Sequence, residues 1–288
     1  MSQPAAPLVS VIIPAFHARA FIADAVHSVV AQRDAPEYEV LISPDDGADY
    51  GPLQALGPAV RVLPPAGHHG VAAARNRALD AARGQIFALC DADDLWPTNY
   101  LATLVPLAVR QDVACANTRY TEWDGTAVRA SAVAGPRLTL AACARCLASI
   151  RPVWNRTLRV RFQDVFAEDV LHVLHLVALQ NSGVALAADT HYQVRIRPGS
   201  ITNAGMQRER EILSAYAPLI DTATACPAKL GLEVLPPVRR GEIVDVLRFW
   251  RFVNAEYLAA GCKTSFMHYV AGREAALWEA YAGASFER

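Results

Sequence analysis

The apolar run Gln85-Ile86-Phe87-Ala88-Leu89-Cys90 reads as a buried strand, and it stops in Asp91-Ala92-Asp93-Asp94, with Leu95-Trp96-Pro97 close behind. No other stretch constrains the chain as much. At the end of a strand feeding an open sheet, Asp91 and Asp93 stand at i and i+2, so an extended backbone points both carboxylates to one side. There they can share a hard divalent cation, because Mg²⁺ and Mn²⁺ take oxygen ligands and keep positions open for substrate phosphate. The competing reading is a turn, since Asp and Pro are common turn residues.

The chain before this point alternates strand and helix signals. Val9-Ser10-Val11-Ile12-Ile13 is β-branched and nearly all apolar, as a buried parallel strand is, and Pro14 is expected to end it. Phe21, Ile22, Ala25, Val26, Val29 and Val30 recur at helical spacing. Tyr38–Ser43 reads as a second strand ending in Pro44-Asp45-Asp46-Gly47, and Val60–Leu63 as a short third. Val71 to Ala82 is an alanine-rich helix with Gly84 where a C-cap belongs. This order implies a parallel, right-handed α/β unit, whose ligands bind beyond the carboxyl ends of the strands. Phe16-His17, Asp45-Asp46 and Asp91-Ala92-Asp93 all fall at such ends.

Further on, the pattern predicts a helix over Tyr100–Arg110, a strand at Val113–Asn117 and a hairpin or loop around Asp124-Gly125. A helix is expected over Leu138–Ile150, a short strand at Val153–Asn155 and a helix from Val170 to Asn181 behind Glu168-Asp169. Val184–Ala188 and His191–Arg195 are expected to pair as late strands, and from Met206 the pattern is helical with a break at Leu235-Pro236-Pro237.

The 288 residues suffice for one sizeable core with an appendage, or at most two domains. A net charge of −1 gives no bulk attraction to nucleic acid or an anionic membrane, so phosphate binding must be local. Of six cysteines, only Cys143 and Cys146 have C-x-x-C spacing, and no second Cys or His pair accompanies them; small apolar roles in a reducing cytosol are expected. The N-terminus lacks a basic secretory region, and no apolar run reaches the roughly 18–20 residues that cross a bilayer. A cytoplasmic protein without a membrane span is expected.

Several motifs in one order now carry a resemblance: Val9–Phe16, Glu39–Ile42 followed by Asp45-Asp46-Gly47, Ala73-Ala74-Arg75-Asn76-Arg77-Ala78-Leu79, Ala82-Arg83-Gly84 and Asp91–Trp96. Together they resemble the family 2 inverting glycosyltransferases of the GT-A fold, closely over residues 8–110. The likeness continues more thinly through Glu168-Asp169 and Tyr192–Ser200. The resemblance implies a Rossmann-like mixed sheet flanked by helices. Residues 1–205 would form the transferase domain, with a nucleotide-sugar half at 8–110 and an acceptor half at 111–205, and 206–288 a helical extension.

It also implies a nucleotide-sugar donor, usually a UDP-sugar, bound with Mn²⁺ or Mg²⁺, and a glycan or lipid-linked glycan acceptor. Carried over by position, Pro14, Ala15 and Phe16 would lie beside the nucleobase, with His17 next to them. Asp45 or Asp46 would accept from the base, and Arg75 would donate to the base or a phosphate. Asp91 and Ala92 would flank the ribose, Asp93 would ligate the metal with Asp91 beside it, and Asp169 would be the general base with Glu168 as its neighbour. Two departures stand out: His17 occupies a position where the family very often has Asn, and Pro44 stands where the first Asp of the usual Asp-Asp-Gly falls on ungapped counting.

Arg195 and Arg197 alternate before Pro198-Gly199-Ser200 and are expected to grip a diphosphate; a solvated edge strand is the rival. Trp154 is a candidate to stack on a sugar or, equally, a core residue. Trp96, His68-His69, His172 and His175 read more simply as packing or turn residues than as ligands. Arg239, Arg240, Arg248 and Arg251 with Phe249, Trp250 and Phe252 form a basic–aromatic set compatible with peripheral membrane contact or a homodimer, though a core-packed helix is the simpler reading.

Other functions fit less well. Haloacid-dehalogenase-type phosphatases also end a strand in Asp-x-Asp, but usually place Thr or Val where Leu95 stands. A dinucleotide oxidoreductase needs G-x-G-x-x-G after the first strand, where Pro14-Ala15-Phe16-His17 stands instead. A non-catalytic nucleotide-sugar sensor is the remaining alternative, and the retained Asp91, Asp93 and Asp169 argue against it.

Overall fold

The computed structural model describes residues 8–131, 133, 135–197, 206–261 and 264–286. Pro198-Gly199-Ser200, expected to follow the paired arginines, lie outside the described residues.

Four strands form a parallel half-sheet in the order β3 (Val60–Val62), β2 (Tyr38–Pro44), β1 (Val9–Ala15) and β4 (Ile86–Leu89). β1 is buried along its whole length because its alternating side chains enter two cores. Val9, Val11 and Ile13 pack with Ile22, Ala25, Val26 and Val29 of α1 (Ile22–Val30), while Ile12 joins Ala78 of α2 (Val71–Ala81) on the other face. A strand clad on both faces is a continuous apolar run, as the sequence suggested.

Pro14 does not end β1; it pairs in register with Ser43, and the strand runs on to Ala15. The Ile12 carbonyl accepts from Cys90 N, so even-numbered peptide groups face β4. The β4 ladder stops at Ile12–Leu89, so the N–H that Pro14 lacks has no partner to lose.

The second half of the sheet continues β4–β8–β5–β9–β7, with β8 (Val153–Asn155) antiparallel between β4 and β5 (Val113–Glu122). β6 (Ala127–Ala130) folds back on β5, giving the expected hairpin at Asp124-Gly125. The two late strands expected to pair with each other are one strand, β9 (Val184–Ile196), running parallel to β5 and flanked by β7 (Arg137–Leu138). The register jumps from Ala116–Ala187 to Asn117–His191, so a bulge absorbs Ala188, Asp189 and Thr190, small and polar residues that imitate a turn.

Gly84 is a second correction. The residue capping α2 is Ala82, in extended backbone. Gly84 is glycine because the chain passes β1 closely: a Cβ there would stand 2.7 Å from Ser10 N.

α3 (Tyr100–Gln111) covers the α1 face; α4 (Leu140–Cys146) and α5 (Glu168–Ala178) lie on the α2 face. The C-terminal helices α6 (Met206–Ala225), α7 (Pro237–Ala259), α8 (Phe266–Val270) and α9 (Glu274–Phe286) join the same core through Ile212, Leu219, Leu247, Phe249 and Leu277. The basic–aromatic set is therefore divided. Phe249 is fully buried and Trp250 Nε1 donates to the Ala144 carbonyl at 3.1 Å, leaving Arg248 and Arg251 exposed. Arg239 donates to the Val177, Ala178 and Gln180 carbonyls, at and just beyond the C-terminus of α5. No helix among the described residues is long and apolar enough to cross a membrane.

Candidate active site

The parallel strands β1, β2, β4 and β9 all end at one edge of the sheet, and antiparallel β8 begins there. The chemistry-bearing side chains collect along that edge. Asp91 follows β4, and Ala88–Val153 pairing brings Arg151, just ahead of β8, against it. Arg151 Nε and Nη2 reach Asp91 Oδ2 at 2.9 and 2.6 Å, while its Nη1 reaches Asp169 Oδ2 at 2.8 Å. From the other side Arg75, on α2, donates to Asp91 Oδ1 at 2.7 Å and pairs with Glu168. Asp91 is thus held by two arginines, each of which also holds one acid of the first turn of α5.

Aromatic rings support this cluster. The Arg75 guanidinium lies 5.1 Å above Phe162, and that of Arg151 5.7 Å from Tyr192, whose hydroxyl accepts from Asp91 N at 2.9 Å. Burial alone would raise the Asp91 carboxyl, but Arg151 and then Arg75 hold it well below the ordinary carboxylate value. Burial works against the charge of Arg151 too, yet Asp91 and Asp169 raise its pKa well above normal. Glu168 goes the other way: burial and the Asp169 charge outweigh Arg75 and raise it.

Glu168 and Asp169 open α5 itself, two residues earlier than the expected start at Val170, where carboxylates favour the helix dipole. Ala167 before them sits in the left-handed region at φ 55°, which bends the chain into the helix at a cost of roughly 1 kcal/mol.

Asp93 stands apart from the arginine pair. Its nearest cation is Arg197, whose Nε is 3.6 Å away and makes no hydrogen bond. Burial and Asp91 raise the Asp93 carboxyl above its usual value, with Arg197 only partly opposing them. The neighbouring Asp94 is buried, accepts from Arg195 N at 3.1 Å, and is pushed well up by burial and by Asp93. Arg195 Nε donates to the Asp93 carbonyl at 2.6 Å and its Nη1 pairs with Asp24 at 2.9 Å, while its guanidinium stacks 3.9 Å from the Trp123 ring. Arg195 thereby braces the Asp93 turn, and Arg197 is the arginine facing the carboxylate.

At the far end of the edge the Phe16 ring is exposed, with the His17 and His68 imidazoles at centroid distances of 4.1 and 4.6 Å. Pro14, Ala15 and Ala92 are buried, so their backbone rather than their side chains forms the floor; the Ala15 carbonyl accepts from Asp45 N at 2.8 Å. Both aspartates expected to accept from a nucleobase have other partners. Asp45 accepts from His69 N and Gly70 N, the latter at 2.8 Å. Asp46 accepts from His17 N at 2.8 Å and from Ala48 N and Tyr50 Oη at 3.0 Å. Burial opposes the Asp46 charge, but these donors lower its pKa.

Trp154 is not at the site. It is 1 % exposed, packed edge-on against Phe87, Phe162 and His172, so no sugar can reach its face. Trp96 stacks on Tyr100 at 4.4 Å as a packing residue. His172 and His175 are buried in the core. Arg151, Tyr192 and Asp94 are the site residues that sequence reasoning missed. The available signal for Arg151 was a lone charge in the otherwise uncharged, mostly apolar tract Ala148–Trp154.

Among the described residues no group of three or more His, Cys, Asp or Glu side chains is arranged to hold a metal by itself. Asp91 has both oxygens committed to guanidinium donors, so it is not a free ligand. Asp93 fits a different arrangement. Mg²⁺ is commonly held by one or two carboxylates plus substrate phosphates, and a carboxylate whose charge is under-compensated by its surroundings is stabilised by a divalent cation.

The family model for glycosyl transferase family 2 matches residues 10–166. TuaG of Bacillus subtilis strain 168, a glycosyltransferase assigned to teichuronic acid biosynthesis, is 34% identical over 127 residues, covering 42% of this chain and 50% of its own length. The chain thus matches half the length of that relative. WfgD of Escherichia coli, the UDP-Glc:alpha-D-GlcNAc-diphosphoundecaprenol beta-1,3-glucosyltransferase, is 26% identical over 185 residues, covering 62% of this chain and 72% of WfgD. Among solved structures, residues 1–349 of S. aureus TarS in complex with UDP-GlcNAc superpose with a TM-score of 0.58 at 18% identity, covering 96% of this chain and 92% of that one. That similarity establishes a shared GT-A architecture. By its family match over more than half its length, and with the Asp91-Ala92-Asp93 edge built as described, the chain belongs to glycosyl transferase family 2.

Proposed function

We propose that this protein transfers a single sugar, with inversion, from a nucleotide-sugar donor, a UDP-sugar, to a hydroxyl of a glycan or lipid-linked glycan. The observation that carries the reading is the arginine bridge from Asp91 to Asp169. One guanidinium ties the residue at the donor end of the edge to the carboxylate at the start of α5, so donor and base are held in fixed relation. The UDP-GlcNAc bound to TarS and the diphosphoundecaprenol-linked acceptor of WfgD support the donor and acceptor classes.

In this reading Asp169 takes the proton from the acceptor hydroxyl as its oxygen bonds to the anomeric carbon. The bond from that carbon to the diphosphate breaks on the opposite face, releasing a nucleoside diphosphate. Asp93 would hold Mn²⁺ or Mg²⁺, which when bound offsets charge developing on the leaving diphosphate. Arg197, beside Asp93, adds a fixed positive charge at the same place. Arg151 holds Asp169 in one orientation, and Val170 N donates to its other oxygen at 2.9 Å.

The test is Asp169→Asn assayed with a panel of UDP-sugars and lipid-linked acceptors. Transfer is expected to fall about 10²–10⁴-fold while UDP affinity stays near wild type. Undiminished transfer by the folded variant would remove Asp169 as the base. Absence of transfer and donor hydrolysis in the wild type, with nucleotide binding intact, would point to a binding protein instead.

A further inference from the structure

Helix α6 belongs to the C-terminal extension, yet its inner face reaches the acids that open α5. Tyr216 is 3 % exposed, and its ring meets that of Phe166 edge-on at 5.1 Å, just ahead of Glu168 and Asp169 in the chain. Burial raises the Tyr216 hydroxyl above its usual value, and the charges of Asp169 and Glu209 raise it further, so this one hydroxyl lies near both carboxylates. Glu209 stands two turns before Tyr216 on the same buried face, with Ile212 between them. It is 5 % exposed, and it makes no hydrogen bond or ion pair with any described residue. Its neighbour Arg208 pairs instead with Glu211, at 3.0 Å. A carboxylate in the first turn favours the helix dipole, but the dipole does not require burial. Burying a charge without a partner is costly, and native structures seldom carry one without a use.

We infer that Glu209 binds the acceptor: its carboxylate takes hydrogen bonds from hydroxyls of a neutral acceptor sugar, while Asp169 deprotonates the hydroxyl that reacts. The inference rests on the transferase reading above and names the acceptor subsite within it. An ionised carboxylate only accepts hydrogen bonds, and it does so through two oxygens. It therefore suits a sugar that presents neighbouring hydroxyl donors, and it rejects one that bears a carboxylate of its own there. Inversion also requires the acceptor to approach from the face opposite the diphosphate. In the transferase reading Asp93 and Arg197 mark the diphosphate end and Asp169 the other. The contact of Tyr216 with Phe166 puts α6 on the Asp169 side, where that approach takes place. The helical extension thus supplies a wall of the site that the family-matched residues 10–166 do not.

Steady-state transfer from UDP-sugars to a panel of lipid-diphosphate-linked neutral sugars and their uronic acid counterparts tests this. The wild type is expected to use the neutral acceptors at least about tenfold better in kcat/KM than the uronic acids. Glu209→Leu should raise the KM for a neutral acceptor at least about tenfold, the size of one lost charge-assisted hydrogen bond, with UDP affinity within about twofold of wild type. Glu209→Gln keeps an accepting oxygen but not the charge. It should recover part of that KM and bring the uronic acids within about threefold of the neutral acceptors. Both variants should melt at or above the wild-type temperature, because no partner is left behind; a merely structural Glu209 would lower it in both. A leucine variant with the wild-type acceptor KM, one that melts several degrees lower, or a wild type indifferent to acceptor charge overturns the inference and leaves the transferase reading standing. A wild type that binds UDP but transfers to no acceptor of the panel overturns both.

Discussion

Arg151 donates twice to a single oxygen of Asp91, through Nε at 2.9 Å and Nη2 at 2.6 Å, and spends its remaining terminal nitrogen on Asp169. A guanidinium can do this because its donors form a rigid planar fork; an ammonium cannot. Three carboxylates and two arginines therefore form one connected cluster, in which no member can be removed without exposing the charge of another.

Arg151→Met is expected to leave Asp91 and Asp169 partly buried without their shared cation. Breaking a buried pair in this way costs about 3–5 kcal/mol, or roughly 6–20 °C in melting temperature for a chain of this size. Arg151→Lys keeps the charge but loses the fork, so calorimetry should find it between Met and wild type while sugar transfer stays impaired. A Met variant that melts with the wild type would mean the cluster does not stabilise the fold.

Asp93→Asn separates the cation from the rest of the site. Wild-type affinity for UDP should rise on adding Mn²⁺, whereas the variant should bind UDP equally with and without it. Because Asp93 makes no short ion pair, its melting temperature should change little, by about 2 °C or less. A cation effect of full size in the variant would assign the metal elsewhere.

Ala167 carries left-handed backbone next to the acids that open α5. Ala167→Gly removes the Cβ penalty and is expected to stabilise the protein by up to about 1 kcal/mol, less what the freer unfolded chain regains. Turnover should fall by a few-fold at the same time, since the glycine no longer restricts the turn that aims Asp169. Denaturant melts and steady-state rates on the same preparation check both signs.

Two core histidines set a pH limit. Burial, only slightly opposed by Glu233, lowers His175 from 6.5 to about 4, and burial lowers His172 well below its usual value. In the unfolded chain both take a proton near their ordinary value, while the folded protein refuses it. Stability is therefore complete above about pH 6.5 and is lost as pH falls toward 4, at up to about 1.4 kcal/mol per pH unit for each histidine. His175→Leu should flatten that slope in urea melts at pH 4.5–7.5; an unchanged slope would assign the acid sensitivity to other groups.

Much of the N-terminal half was legible from local pattern. Strand β1 is buried on both faces and so reads as an unbroken apolar run; α2 ends within one residue of its expected limit. Asp91 and Asp93 could be placed at a sheet edge because the short apolar run before them reads as a buried strand. The gap between Val184–Ala188 and His191–Arg195 could not be read the same way, because a three-residue bulge and a hairpin turn draw on the same small and polar residues.

What tertiary structure alone decided is who neighbours whom. Ala88–Val153 pairing joins segments 65 residues apart (153 − 88), and only because β8 runs antiparallel does Arg151 arrive at Asp91. The same packing put Trp154 inside a cage of rings and turned Asp45 and Asp46 onto backbone amides, choices that a tryptophan or aspartate in a sequence leaves open. Local periodicity depends on residues a few positions apart and is written along the chain. Partners of a buried charge are set by strand order and direction, which depend on the whole core closing at once.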